Sequence, residues 1–358
     1  MERCSKCILP RSYAAVTFED DGVCSLCRDH ERTSRIEYME RQMKQPILAT
    51  IISKSRQERG KYNCIVPLSG GQDSSYVAYV MRKQFGLRVL GLNFDNGYRS
   101  DLALRNLEHL SHNLEIDIIT LKVSPALLRK LYAHFFRTCG YFCTVCNALG
   151  YMLIGSFAVR EARLYGTCPL IVGGWSKKYE YQPGLSVFSM KSFAQVLMKD
   201  EGLFSALRES PLIDSGVLDT FLSIGDIRQA GSGGSEAKRL SGVGIRFIQL
   251  PDYLDWDYSK ISEILETGVG WKKSADGRDA HFDCVLAPLQ EYLKHRKFGF
   301  GQQTIRNSVL VREERMSREE ALRKNEMEQV TEPAILKQVL SEWEMAIGDV
   351  AWDGEWAE

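Results

Sequence analysis

The stretch Val66-Pro67-Leu68-Ser69-Gly70-Gly71-Gln72-Asp73-Ser74-Ser75 decides how the rest of the chain is read. It follows the apolar Cys64-Ile65-Val66 and leads into Tyr76-Val77-Ala78-Tyr79-Val80-Met81. An apolar run, a glycine-bearing turn and a helix-compatible run predict strand, loop and helix start, an order that gathers backbone N–H groups around an anion. Gly70 and Gly71 allow positive φ and a close approach of backbone to phosphate, and Ser69 and Ser74 add hydroxyl donors. A carboxylate at Asp73 fits beside phosphate if it caps the helix or holds a magnesium ion.

The stretch lacks the Gly-Lys-Ser/Thr ending of a Walker loop. It resembles instead the Ser-Gly-Gly-x-Asp-Ser loop of the PP-loop ATP pyrophosphatases, and the bland alternative is an ordinary Gly-Ser turn before a helix. The resemblance implies an adenine nucleotide alpha hydrolase-like fold that binds the pyrophosphate end of ATP through Ser69, Gly70, Gly71, Asp73 and Ser74. It also implies transfer of AMP to a substrate oxygen, with magnesium near Asp73 or Asp95.

Outward from the loop, strand and helix alternate through Arg88–Asp95, a helix near 101–113, Ile116–Leu121, helices near 125–137 and 144–164, and Pro169–Gly174. This predicts an α/β fold: a parallel sheet with helices on both faces over 61–180 and ligands at the carboxyl ends of the strands. Ser69–Ser74, Asp95-Asn96-Gly97 and Gly173-Gly174-Trp175 all fall at such ends, so Asp95, Gly173 and Gly174 join the expected ATP site. Lys177 and Lys178 are candidates to neutralise phosphate charge, with solvated lysines as the alternative.

The chain has 358 residues and is 44% hydrophobic, enough for two to three domains. No apolar run reaches the roughly 18 to 20 residues that cross a bilayer, and no secretion signal opens the chain, so the expected location is cytoplasmic. Lys and Arg total 46 and Asp and Glu total 46. That balance offers no global field for nucleic acid and favours a small-molecule substrate.

Ten cysteines in such a chain point to metal or redox chemistry rather than a disulfide framework. Cys4-x-x-Cys7 and Cys24-x-x-Cys27 read as a zinc ribbon over 1–30, whose four thiolates suit a closed tetrahedral zinc, with an iron–sulfur centre as the rival. In the second set, Cys143 and Cys146 sit at i and i+3 where a helix begins, Cys139 precedes them, and Cys284 lies far downstream. Three readings stay open: a 4Fe-4S cluster on Cys143, Cys146 and Cys284, a dithiol that forms and resolves a persulfide, or plain buried thiols. A CxxC with a distant cysteine resembles the iron–sulfur PP-loop tRNA thiolation enzymes, which implies an open iron carrying sulfide for transfer.

The remaining segments are a helical connector over 31–60, an insertion over 181–260, a mainly helical C-terminal part over 261–330 and an acidic tail over 331–358 with Trp343, Trp352 and Trp356. Within the insertion, 230–244 is a mobile loop by composition, either a lid or a linker. His281 is a candidate proton shuttle or a plain surface residue, and Ser317 with Glu320 forms a capping-box pattern.

The four N-terminal cysteines, Ser69–Ser74, Gly270-Trp271, Lys297-Phe298-Gly299-Phe300 and Ser317–Leu322 together resemble the bacterial N-acetyl sugar amidotransferases of surface-polysaccharide assembly. That resemblance implies adenylylation of an acetamido oxygen on a nucleotide sugar and displacement by ammonia from a separate glutaminase subunit. Tyr141–Cys146 and Cys284 depart from it and look like the sulfur-transferring branch, whose partner is a sulfur donor protein. A nucleotide-sensing binding protein is the non-enzymatic alternative.

Overall fold

Strict alternation in β1 (Cys64–Pro67) sets the layers: Cys64 and Val66 enter one core and Ile65 the other. The computed structural model describes residues 2–13, 16–176, 190–224, 238–274, 282–327 and 333–351. Around β1, β2 (Val89–Phe94), β3 (Asp117–Leu121), β4 (Leu170–Gly173), β5 (Lys238–Leu240) and β6 (Val243–Gln249) form one sheet in the order β3-β2-β1-β4-β6-β5. Neighbours pair in parallel from β3 through β6, and β5 is a short antiparallel hairpin partner of β6. The chain steps outward from β1 to β3, then returns to the other side of β1 at β4, so the carboxyl ends of β1 and β4 flank the topological switch point.

One face is covered by the helices His30–Arg56, Gln72–Tyr79, Asp101–Leu114 and Tyr258–Val269. The other carries Pro125–Cys139, Cys143–Tyr165, the helices Met190–Leu197, Glu201–Arg208 and Ser215–Ile224, and then Ala287–Phe298 and Ile335–Glu342. Local sequence explains these elements. In Asp101–Leu114 the Ser100 side chain accepts from the Ala103 amide, and Ala103, Asn106, Leu107, Leu110 and Leu114 make one buried stripe at helical spacing. Pro125 opens the next helix and Gly140, at φ 68°, closes it.

The cysteine knuckles fold as a separate small lobe whose apolar wall comes from the other end of the chain. Cys4, Cys7, Leu9, Tyr13 and Val16 share a core with Phe300 and Ile305, and Tyr13 meets Phe300 edge to face. Arg318 donates to the carbonyls of Cys7 (3.0 Å) and Cys4 (3.1 Å), and Ser317 accepts from the Glu320 amide as an N-cap.

The structure refines several segments. Strand β6 begins at Val243, upstream of the expected Phe247, because antiparallel pairing of Val243–Ile245 with β5 extends it ahead of the Arg246–Gln249 stretch that pairs with β4. Of the loop over 230–244, residues 238–244 form the β5–β6 turn; 225–237 lie outside the described residues, so no lid is assigned. One helix, Cys143–Tyr165, is long and apolar enough by length and composition to cross a membrane, and 61% of its most apolar window is buried inside the protein. The tail docks on the body: Trp343 is buried and stacks on Tyr132 at 5.2 Å.

Candidate active site

Strand β1 ends against a loop whose hydroxyls close on one another. Ser69 Oγ and Ser74 Oγ lie 3.2 Å apart, the Ser69 amide donates to Ser74 Oγ, and the Gly71 amide donates to Ser69 Oγ. Gly70 has φ 81°, and a Cβ there would sit 2.3 Å from the Ala103 carbonyl oxygen, so both backbone and space require glycine. Gly71 is the N-cap residue of Gln72–Tyr79, which places Gln72, Asp73 and Ser74 in the first turn at the positive end of the helix.

Side chains distant in sequence brace this loop. Trp271 Nε1 and Asn106 Nδ2 both donate to the Gly70 carbonyl, at 3.0 and 3.1 Å. Trp256 Nε1 donates to Asp73 Oδ1 at 2.7 Å, and Gln72 Nε2 donates to the Tyr258 carbonyl. The loop is therefore held from outside the sheet by side chains of three other segments.

The neighbouring strand ends meet it as their positions require. At Gly174 a Cβ would lie 3.0 Å from the Asp73 carbonyl oxygen, and at Gly173 one would lie 2.4 Å from Gln249 Oε1, so the β4 end packs directly on the loop. Asp95, after β2, accepts from the Gly97 amide and pairs with Lys122 Nζ at 2.9 Å. Burial raises its pKa, but the Lys122 and Gly97 donors outweigh this and hold it below the usual carboxylate value. Asp73 is thus engaged by Trp256 and Asp95 by Lys122.

Cys143, Cys146 and Cys284 come together beside that rim. Asn96 Nδ2 donates to Cys146 Sγ (3.7 Å) and Cys284 Sγ (3.6 Å), and the Tyr132 hydroxyl lies 2.9 Å from Cys146 Sγ. Cys284 is brought there by an antiparallel bridge with Arg99, in which the Val285 amide donates to the Tyr98 carbonyl. Burial, reinforced by the neighbouring thiols, pushes Cys143 up and pushes Cys284 up to about 12. Neutral thiols are thus favoured here, and a bound cation or cluster would be needed to hold thiolates. Cys139 lies apart, its Sγ donating to the Phe135 and Tyr141 carbonyls.

The N-terminal set is arranged differently. The Sγ atoms of Cys4, Cys7, Cys24 and Cys27 all lie within 4.8 Å of one another, the one group of His, Cys, Asp and Glu with that spacing among the described residues. Hydrogen bonds from Cys24 and Cys27 lower the Cys7 pKa despite burial, helped by the Leu9 amide and the Arg312 guanidinium, while the same contacts and burial push Cys24 and Cys27 up, so one thiolate is shared among neutral partners until a cation binds. Three buried sulfurs and a half-buried fourth, with the Leu9 and Cys24 amides donating to Cys7 and Cys4, fit a closed tetrahedral zinc.

Sequence reading missed Asn96 and Tyr132 as contacts of the thiols, Arg99 and Asp283 between thiols and loop, and Trp256 and Asn106 as loop braces. Their side chains act through tertiary contacts across 14 to 188 residues, for which no local pattern exists. Lys177, Lys178, His281, Trp352 and Trp356 lie outside the described residues.

With this geometry in view, the chain compares with known proteins as follows. A family model described as NAD synthase matches residues 46–137, and one described as LPS biosynthesis protein WbpG-like, C-terminal domain, matches 276–346, which includes Cys284. An uncharacterized protein of Methanocaldococcus jannaschii is 25% identical over 121 residues, covering 33% of this chain. The match spans 42% of that relative's length. Among solved structures, the NMN synthetase of Francisella tularensis aligns at a TM-score of 0.36 and 12% identity over 87% of this chain and 97% of that one. The U34-tRNA thiolase NcsA of Methanococcus maripaludis, solved with its 4Fe-4S cluster, aligns at a TM-score of 0.31 and 12% identity over 87% of this chain and 89% of that one.

Proposed function

We propose that this chain, a member of the PP-loop ATP pyrophosphatase superfamily, uses ATP to adenylylate an amide or carbonyl oxygen of a small substrate and then exchanges that oxygen for a nucleophile. The observation that carries the reading is the braced Ser69–Ser74 loop at the switch point, with its amides, two hydroxyls and a helix N-terminus converging at one strand end. The substrate oxygen attacks the α-phosphorus, the bond from that phosphorus to the pyrophosphate oxygen breaks, and pyrophosphate leaves with the electron pair. The loop binds the departing pyrophosphate, Asp73 orients the magnesium that travels with ATP, and the Gly173-Gly174 end closes on the loop.

For the second half, the reading best supported is amidotransfer on an N-acetylated nucleotide sugar in surface-polysaccharide synthesis, in the cytoplasm. The match of 276–346 to a lipopolysaccharide-biosynthesis domain supports it. Ammonia from a glutaminase partner adds to the activated carbon, AMP departs with the C–O electron pair, and one proton is released as the amidine forms. The convergence of Cys143, Cys146 and Cys284 favours a second reading, sulfur transfer from a donor protein. In that case the three thiols would hold a 4Fe-4S cluster, which when bound supplies an open iron site for sulfide. Zinc on Cys4, Cys7, Cys24 and Cys27 is structural in both readings.

One experiment tests both halves. Purified chain is incubated with Mg-ATP, a UDP-N-acetyl sugar and either ammonium or sulfide, followed by pyrophosphate assay and product mass. Pyrophosphate release with an oxygen-for-NH exchange supports amidotransfer, and an oxygen-for-sulfur exchange supports the second reading. Asp73→Ala is expected to abolish pyrophosphate release, and full activity in that variant overturns the assignment of the loop.

A further inference from the structure

Asp283 and Arg99 form a buried ion pair, Arg99 Nη1 to Asp283 Oδ2 at 3.1 Å, with side chains 13% and 17% exposed. The pair stands at the mouth of the phosphate loop. A Cβ on Gly71 would lie 3.5 Å from both Asp283 Cγ and Asp283 Oδ2, so the carboxylate rests directly over the glycine whose amide faces the cradle. A carboxylate in that position repels a polyphosphate, and its cationic partner attracts one. The guanidinium is anchored by Nη2, which donates to the Phe94 carbonyl at the end of β2, and its Nε is buried with no hydrogen-bond partner among the described residues. A buried donor left unpaired is costly, and an incoming oxyanion would satisfy it. The planar fork suits phosphate better than a point charge does.

Resting on the reading of Ser69–Ser74 as an ATP loop, we propose that Arg99 is a phosphate-binding residue of this site and that Asp283 is the counter-ion that competes with phosphate for it. In the free protein the carboxylate occupies the guanidinium; when the polyphosphate enters, its oxygens take over the Arg99 donors and Asp283 moves off Gly71. Arg99 also pairs through its backbone with Cys284, and the Ser100 amide donates to the Asp283 carbonyl. Filling the phosphate loop therefore shifts the segment that carries Cys284, and the adenylylation step is reported to the thiols by two adjacent residues.

The test uses the full chain and two probes, Mg-ATP and inorganic pyrophosphate, titrated by the fluorescence of Trp256 and Trp271, both hydrogen-bonded to the loop. Arg99→Ala is expected to weaken both probes about tenfold or more, with Arg99→Lys in between. Asp283→Asn, which keeps the shape and removes the competing charge, is expected to tighten pyrophosphate several-fold. Opposite signs from two partners of one ion pair separate this role from a structural one, since loss of a structural bridge weakens binding in both. Parallel weakening, or unchanged affinity in Arg99→Ala, overturns the inference while binding by the wild-type chain leaves the ATP-loop reading intact. No binding of either probe by the wild-type chain overturns both.

Discussion

Cys4, Cys7, Cys24 and Cys27 bring their sulfurs within 4.8 Å of one another, whereas Cys143, Cys146 and Cys284 gather around Asn96 and Tyr132 at a wider spacing. The first set is built by two short knuckles, each fixing its own pair of thiols, and the lobe around it borrows its apolar wall from Phe300 and Ile305. The second set is built by the domain: a helix start, a strand end and a returning segment each supply one face, and the thiols sit in a core that exists without them. In the first set a bound metal would make the structure; in the second the structure offers a place for chemistry, next to the Ser69–Ser74 loop.

The largest test of that difference is Cys24→Ser. Losing one of four ligands is expected to empty the site and unfold the ribbon, a loss on the order of 10 kcal/mol of metal-coupled folding energy, read as zinc per chain and as protease cleavage confined to residues 2–28. Full zinc content in that variant would break the comparison from one side. Trp343→Ala should come next, at about 3–5 kcal/mol, since it leaves a cavity against Tyr132, Phe136 and Phe142. Alkylation of Cys143, Cys146 and Cys284 is expected to speed up in that variant, with zinc content unchanged.

Arg318→Ala removes two hydrogen bonds from a cation to the knuckle carbonyls and should cost roughly 1.5–3 kcal/mol, lowering the thermal midpoint while the four thiolates keep their metal. Smallest is Cys146→Ser, a near-isosteric change expected to shift global stability by about 1 kcal/mol. Its signature is in the chemistry: under the sulfur reading the variant still releases pyrophosphate and makes no thiolated product, whereas amidine formation continues if nitrogen is transferred. If Cys146→Ser instead unfolds the chain as Cys24→Ser does, the two sets are alike after all.

The same contrast explains what could be read in advance. The knuckles, the Ser69–Ser74 loop and the strand–helix alternation are local patterns, and each carries its physical cause within a few residues. The N-cap at Ser317 was legible for that reason. The second cysteine set was legible in its members but not in its surroundings. Asn96 reads as one more residue of a strand-end turn until the fold brings Cys146 and Cys284 to its amide, from 50 and 188 residues away. Trp256 carries no local signal and Trp271 only that of the Gly270-Trp271 resemblance, and their indole N–H groups meet Asp73 and Gly70 across 183 and 201 residues. Segment 181–260 lost its alternation because a helical layer, Met190–Leu197 with Glu201–Arg208 and Ser215–Ile224, precedes the β5–β6 hairpin.

The docking of the ribbon on Phe300, Ile305, Arg312 and Arg318 has a consequence for the order of events during synthesis. Residues 4–27 leave the ribosome well before Phe300 and Ile305, the wall they pack against. For most of translation the four thiols have only one another and whatever metal they capture. The clasp between the two regions closes last, so the nascent knuckles must either load early and wait or stay open to oxidation until the C-terminal helices arrive.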